Sequence, residues 1–300
     1  MSMLSAQRAG THCLAAVLLA TLPALSPAAE QHAFADVPYV PTPANVVDAM
    51  LKLAGIGSRD FVIDLGSGDG RIVIAAAKQR GASGFGVEID GDLVARARSE
   101  AQRQGVADRV QFLVENLFIT EIGRATVMTL YLYPNLLMKL RPRFFGELRP
   151  GTRIVSHDFD MEKWQPDARV TVPVPGKPYG PPSSEVYLWV IPANAAGTWQ
   201  WRSAIGNAPF DVELALSQSF QMLEGRPLLG GKPGRLDGGR MRGDEIRFML
   251  TAVVDGRTLR QEFSGRVNGD TITGKVKLAG GEQDWKATRT RRGSIKLSNE

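Results

Sequence analysis

Cysteine is almost missing from this 300-residue chain, which holds a single one, and histidine is nearly as scarce, with three. Cys13 opens an apolar run over residues 13–25, preceded by Arg8 and followed by Ser26-Pro-Ala28. That pattern predicts a secretory signal peptide over residues 1–28, cleaved after Ala28. Its core is short and carries Pro23, with Pro27 just beyond, which argues against a membrane anchor. The Gly-Thr-His before Cys13 is no lipobox. The processed chain then carries no cysteine, which excludes a disulfide, a thiolate metal site and a cysteine nucleophile. Only His32 and His157 remain, so a zinc centre is not expected, nor any other metal. An exported protein without cysteine points to a bacterial periplasm or envelope, with an N-terminally anchored or a cytoplasmic chain as the alternatives.

Positive charge is also thin over the first two thirds. Residues 29–194 carry 18 Lys and Arg against 19 Asp and Glu, whereas residues 195–300 carry 17 against 12. A slightly acidic front half, with no Asn-Pro-Pro-Tyr segment, speaks against nucleic acid as a partner. The basic C-terminal part is either a solvated rim or a surface weakly attracted to an anionic membrane.

What is present is concentrated at Val62-Ile-Asp-Leu-Gly-Ser-Gly-Asp-Gly-Arg71. An apolar strand over 61–65 carries Asp64 near its end, turns through Gly66, Gly68 and Gly70, and runs into a helix at Arg71. Strand, glycine loop and helix N-terminus together form a nucleotide site at the carboxyl edge of a parallel sheet. The spacing excludes the dinucleotide fingerprint, whose third glycine would fall at Arg71. Asp64 also suits a cationic or amino-bearing ligand better than a pyrophosphate. A second strand ends in Glu88, about twenty residues on, where a carboxylate accepts from ribose hydroxyls. A third, 110–114, leads into Glu115-Asn-Leu-Phe118.

The wider pattern alternates. A helix is predicted over Ala44–Leu53, capped by Thr42. Strands follow at 61–65, 84–88, 110–114, 126–131, 152–157 and 185–191, with helices at 71–80, 92–104 and 135–148. This is a doubly wound, Rossmann-like α/β sheet with helices on both faces, over residues 37–192. A proline- and glycine-rich loop over 172–182 precedes the last strand. Beyond residue 197 helical periodicity stops, and short strands predict an antiparallel β-barrel or sandwich domain over 197–292, lipocalin-like in texture. Two of its turns share Gly-Asp, at 243–244 and 269–270, a hairpin signal. Trp199, Trp201 and Trp285 read as its core.

Past the fourth strand comes Leu130-Tyr-Leu-Tyr-Pro-Asn135. Two tyrosines spaced by two share a side if the chain is extended. Tyr131 and Tyr133 are therefore candidate catalytic residues, and Leu132, Tyr133, Pro134 and Asn135 candidate substrate-binding ones. A tyrosine there orients an amine or helps remove its proton; the alternative is packing between sheet and helix.

Tyr39-Val-Pro-Thr-Pro43, the glycine loop, Asn116-Leu-Phe118, Leu132-Tyr-Pro134 and Ile154-Val-Ser-His-Asp-Phe159 with Trp164 occur in one order. Together they resemble class I (seven-β-strand) S-adenosylmethionine (SAM) methyltransferases. Within that class they are similar to the lysine methyltransferases of the ATP synthase c subunit and the adenine nucleotide translocase. The resemblance implies SAM as cofactor and a protein lysine as acceptor. It implies that Asp64, Gly66 and Gly68 contact the amino acid part of SAM, with Ser67, Asp69 and Gly70 in the same loop. Glu88 would hold the ribose, Asn116 and Leu117 would border the adenine, and Tyr39 and Thr42 would close over the cofactor. Asn116 replaces the aspartate common at its position, yet an amide oxygen still accepts from an adenine amine. Two other readings stand beside this one. A small-molecule N- or O-methyltransferase would use the 172–182 loop as a lid. An exported, non-catalytic binding protein would have no need of Asp64, Gly66, Gly68 and Glu88 together.

Overall fold

The computed structural model describes residues 39–297 except Tyr179, Gly206, Asn207 and Asp255. The predicted signal peptide lies outside the described residues. The first sheet contains β1 (Phe61–Leu65), β2 (Ser83–Glu88), β3 (Val110–Val114), β4 (Val127–Leu130), β5 (Arg153–His157), β6 (Ala168–Pro173) and β7 (Ser183–Val190). Their order is β3-β2-β1-β4-β5-β7-β6. The first five are parallel, and β7 inserts antiparallel between β5 and β6. The sheet is therefore mixed, not wholly parallel as the alternation predicts, and β6 is an added edge strand.

Among the described residues four helices flank the sheet: α1 (Ala44–Leu53), α2 (Arg71–Arg80), α3 (Gly91–Arg103) and α4 (Pro134–Glu147). Val46, Val47, Met50 and Leu51 bury the core-facing stripe of α1. Thr42 does not cap α1. Pro43 occupies the cap position without a side-chain bond, and the Thr42 hydroxyl turns instead to His157. Glycine ends α2 at Gly81, in the left-handed conformation usual just past a helix.

The second sheet comprises β8 (Gly197–Ile205), β9 (Ala208–Ser219), β10 (Met222–Leu229), β11 (Lys232–Arg242), β12 (Glu245–Val254), β13 (Arg257–Asn268), β14 (Thr271–Leu278), β15 (Gly281–Arg292) and the short β16 (Ile295–Lys296). Strands β8 to β15 pair in sequence order, β15 pairs with β8, and the ring is a closed eight-stranded antiparallel barrel. Two of its hairpins turn at Gly243 and Gly269, whose φ of 61° and 58° suit the first central position of a II′ turn. The barrel is full. Trp201, Phe248, Phe263 and Trp285 pack edge-to-face and stacked, with centroids 4.8 to 6.5 Å apart.

An aromatic joint connects barrel and sheet. Trp164, fully buried, lies between Phe145 of α4 (4.6 Å), Trp189 of β7 (5.9 Å) and Phe220 of the β9–β10 turn (6.1 Å). Gln221 donates to the Gln165 carbonyl at 2.6 Å. Arg240 pairs at 2.7 Å with Asp167, whose side chain is almost wholly buried.

Candidate active site

The parallel strands end at one edge, and the glycine loop is folded there by its own backbone. Gly66 and Ser67 donate to the Val87 carbonyl at 2.9 and 2.8 Å, tying the loop to β2. Gly66, Gly68 and Gly70 all have positive φ. At Gly68 (φ 53°) a Cβ would also fall 2.3 Å from the Tyr39 ring, so the ring lies directly over the loop. Gly68→Ala should therefore displace Tyr39 and cost about 1–2 kcal/mol in backbone strain alone. A lower thermal midpoint together with weaker SAM binding is the expected result; an unchanged midpoint and affinity would show that the ring does not cover the loop.

Asp64 is buried in β1. One carboxylate oxygen accepts from Thr129 Oγ1 at 2.6 Å, and the other, Oδ2, has no partner among the described residues. Burial raises its pKa to about 7; the Thr129 hydrogen bond opposes the shift, and repulsion from Glu88 and Asp69 adds to it. The Ser67 hydroxyl is likewise buried and without a partner among the described residues. A buried carboxylate with an open oxygen is costly unless a donor or a cation completes it.

Glu88, at the end of β2, accepts from Gly68 N at 3.0 Å, Ile89 N at 2.7 Å and Asp90 N at 3.2 Å. It thus joins the glycine loop to the β2–α3 turn. Asn116 folds its own turn, its Oδ1 accepting from Phe118 N at 2.9 Å. A second lone pair on that oxygen is left for an amine. The Leu117 carbonyl accepts from Arg143 Nη1 at 3.2 Å, which anchors the segment to α4. Ile89 and Val114 expose apolar surface at the same edge, 41% and 56%. Sequence reasoning missed both, although an apolar residue directly after the ribose acid was a readable signal for a surface that stacks on a base.

Asp69 is engaged by the Arg71 guanidinium through two hydrogen bonds, at 2.9 and 2.6 Å, and by the Arg71 backbone N–H at 3.3 Å. Burial alone would raise its pKa, but Arg71 holds it below the usual carboxylate range. Arg71 also donates to the Thr42 carbonyl at 2.9 Å and to Tyr39 Oη at 3.4 Å. The Tyr39 hydroxyl is pushed up to about 12 by burial first and then by Asp69. Tyr39, Asp69 and Arg71 thus form a clamp at the loop's outer side. Thr42 meets this clamp through its backbone.

Beyond β4, Tyr131 stacks on His157 with centroids 3.9 Å apart, and Tyr133 is exposed. Phe159 gathers both tyrosines to one side, 6.1 Å from Tyr131 and 5.7 Å from Tyr133. It is placed there by a tight turn after β5, with Asp158 at φ 61° and Ser156 Oγ donating to the Phe159 carbonyl at 2.7 Å. Leu132 points inward and is buried, its side chain 2.9 Å from where a Cβ on Gly66 would be. Pro134 and Asn135 open α4 and are exposed. Phe159 was not legible as a site residue, because only the turn after β5 brings it beside residues nearly thirty positions earlier.

An acid and a glycine loop on β1, an acid on β2 and a polar turn after β3, on a sheet of this order, define a class I methyltransferase. Comparisons agree. The family model described as the ANTKMT methyltransferase domain matches residues 64–168. A protein-lysine N-methyltransferase of Saccharolobus islandicus (strain REY15A) is 41% identical over 156 residues, 52% of this chain and 94% of the relative. The adenine nucleotide translocase lysine N-methyltransferase of Mus musculus is 36% identical, covering 45% of this chain and 58% of the relative. A solved RNA methyltransferase from Salinibacter ruber, in complex with S-adenosyl-L-homocysteine, has 53% identity and a TM-score of 0.46, covering 50% of this chain and 93% of that one. The chain belongs to this family of SAM-dependent methyltransferases.

The residues present fit that cofactor. Asp64 Oδ2 and Ser67 Oγ are buried groups lacking partners among the described residues, and the exposed apolar Ile89 and Val114 lie beside the ribose acid. SAM supplies an activated methyl group on a positively charged sulfur. The chain's contribution is to hold it and to align an acceptor.

Proposed function

We propose that the chain methylates the amine of a protein lysine side chain. The observation that carries this reading is the aromatic group of Tyr131, Tyr133 and Phe159 at the end of β4 and β5, beside the glycine loop. Ring faces attract an ammonium group as it arrives, and Tyr133 offers a hydroxyl at the mouth to orient the amine once its proton is lost. The relatives named as lysine methyltransferases support the same acceptor. Asp64, Ser67 and Gly68 hold the amino acid end of SAM in this reading, Glu88 the ribose, and Asn116 with Leu117 the adenine. The signal-like segment over residues 1–28 supports a bacterial envelope location, and the basic barrel a weak attraction to anionic surfaces.

The test is transfer of labelled methyl from SAM into an envelope protein extract, with the modified residues located by mass spectrometry. Label on lysine side chains is expected. Label only in small molecules or in RNA overturns the assignment. Tyr133→Phe should lower turnover by about tenfold or more while SAM affinity stays near wild type, as expected when a positioned proton-handling group is lost. Equal turnover would reduce Tyr133 to packing.

A further inference from the structure

Thr42, in the segment over the glycine loop, is held at two points. One is Arg71, which donates to the Thr42 carbonyl at 2.9 Å. The other is His157, at the end of β5, whose Nδ1 is 3.2 Å from Thr42 Oγ1. Thr42 and His157 are both buried, so the bond is shielded from water. The second ring nitrogen, Nε2, is 2.9 Å from Ser184 Oγ on β7 and 3.4 Å from Asp158 Oδ2. Asp158 is itself fixed by Lys177 Nζ at 2.7 Å and by Glu185 N at 3.0 Å. Burial keeps the imidazole neutral, its pKa pushed down to about 4; Asp158 opposes the shift and Lys177 adds to it. A neutral ring has one donor and one acceptor nitrogen, and a hydroxyl serves either role, so Thr42 and Ser184 satisfy both tautomers. The face of the same ring carries Tyr131. Residues more than a hundred positions apart thus meet on one side chain that touches the cofactor's cover and the acceptor's wall.

We propose that His157 is a positioning residue: through Thr42 it latches residues 39–43 over the glycine loop. This rests on the reading that Tyr39 and Thr42 cover SAM. The amide of an asparagine at 157 reaches the place of Nδ1, and that of a glutamine reaches the place of Nε2. His157→Asn therefore keeps the Thr42 bond and loses Ser184, while His157→Gln does the reverse. SAM affinity is measured by calorimetry on the full chain. His157→Gln and Thr42→Val should each weaken SAM about tenfold, the effect of losing a buried hydrogen bond. The double variant should be no weaker than either single one beyond about twofold, because both remove the same bond. His157→Asn should stay within about threefold of wild type by the same logic. Equal losses in the Asn and Gln variants, or additive losses in the double variant, overturn the latch. If the His157 variants fail to fold, Thr42→Val decides alone, since unchanged SAM affinity in that near-isosteric variant overturns it. A wild-type chain that binds no SAM would instead overturn the cofactor site itself.

Discussion

Asp64→Asn should bind SAM about a hundredfold more weakly than the wild-type chain, about 3 kcal/mol, the scale of removing one partner of a buried charge pair. The substitution keeps the shape of the side chain and its link to Thr129, so the fold should persist. What disappears is the negative charge whose second oxygen has no partner among the described residues. A pH signature accompanies it. Asp64 in the cofactor-free chain has its pKa raised to about 7, from about 4 in an unfolded chain. Its contribution to stability is fully present below pH ~4 and is lost as pH rises through ~7, because the folded site favours the proton. A cationic ligand favours the carboxylate instead. SAM binding near neutral pH should therefore release protons, and affinity should weaken as pH falls from about 8 to about 6. Calorimetry in buffers of different ionisation enthalpy reads the proton release directly. In Asp64→Asn both the release and the pH slope should vanish. Affinity within about threefold of wild type, with the slope intact, would remove Asp64 from the cofactor site.

Glu88→Ala should be as severe, for a different reason. Its carboxylate gathers three backbone donors, from Gly68, Ile89 and Asp90. Truncation takes away the acceptor for the ribose and at the same time removes the Gly68 bond, leaving the loop tied to β2 only through Val87. Hydrogen bonds to a charged group are worth about 1.5–3 kcal/mol each, so the combined loss in SAM affinity should be about a hundredfold or more. Glu88→Gln, which keeps one acceptor oxygen, should recover about half of that loss on a logarithmic scale. An alanine variant that binds SAM like wild type would disprove the ribose role. Recovery by glutamine to full affinity would show that shape, not charge, is what the position supplies.

Asp64 and Glu88 were legible because strand ends are: an apolar run closed by an acid and followed by glycines has little use except to bring backbone close to a ligand. The same holds for α1, whose apolar stripe is regular, and for the three barrel tryptophans, which are buried. Three features were not. Strands β10 and β11 contain Gly225, Pro227, Pro233, Gly234, Gly238 and Gly239, which read as loop. In the barrel three of those glycines serve close packing: a Cβ at Gly225 would meet Leu214, Leu216 and Leu236 at 2.9 to 3.0 Å, one at Gly234 would lie 2.8 Å from the Thr251 carbonyl, and one at Gly239 would lie 2.5 Å from the Leu223 carbonyl. Strand β6 is a largely exposed edge ending in Pro173, so it lacks the apolar run that marks a central strand. The pairing of Thr42 with His157 spans 115 residues. Local rules assign that threonine to a helix cap, and only the sheet order brings β5 beneath it.

The five tryptophans divide between two places, Trp164 and Trp189 in the aromatic joint and Trp199, Trp201 and Trp285 in the barrel. None belongs to the glycine loop or its cover. Ultraviolet emission from this chain is consequently a local gauge: it shifts when barrel or joint opens to water and stays silent when only the loop is disturbed. A variant that loses SAM yet keeps a blue-shifted spectrum has been damaged at the binding edge alone. One that reddens has opened the barrel or the joint to water.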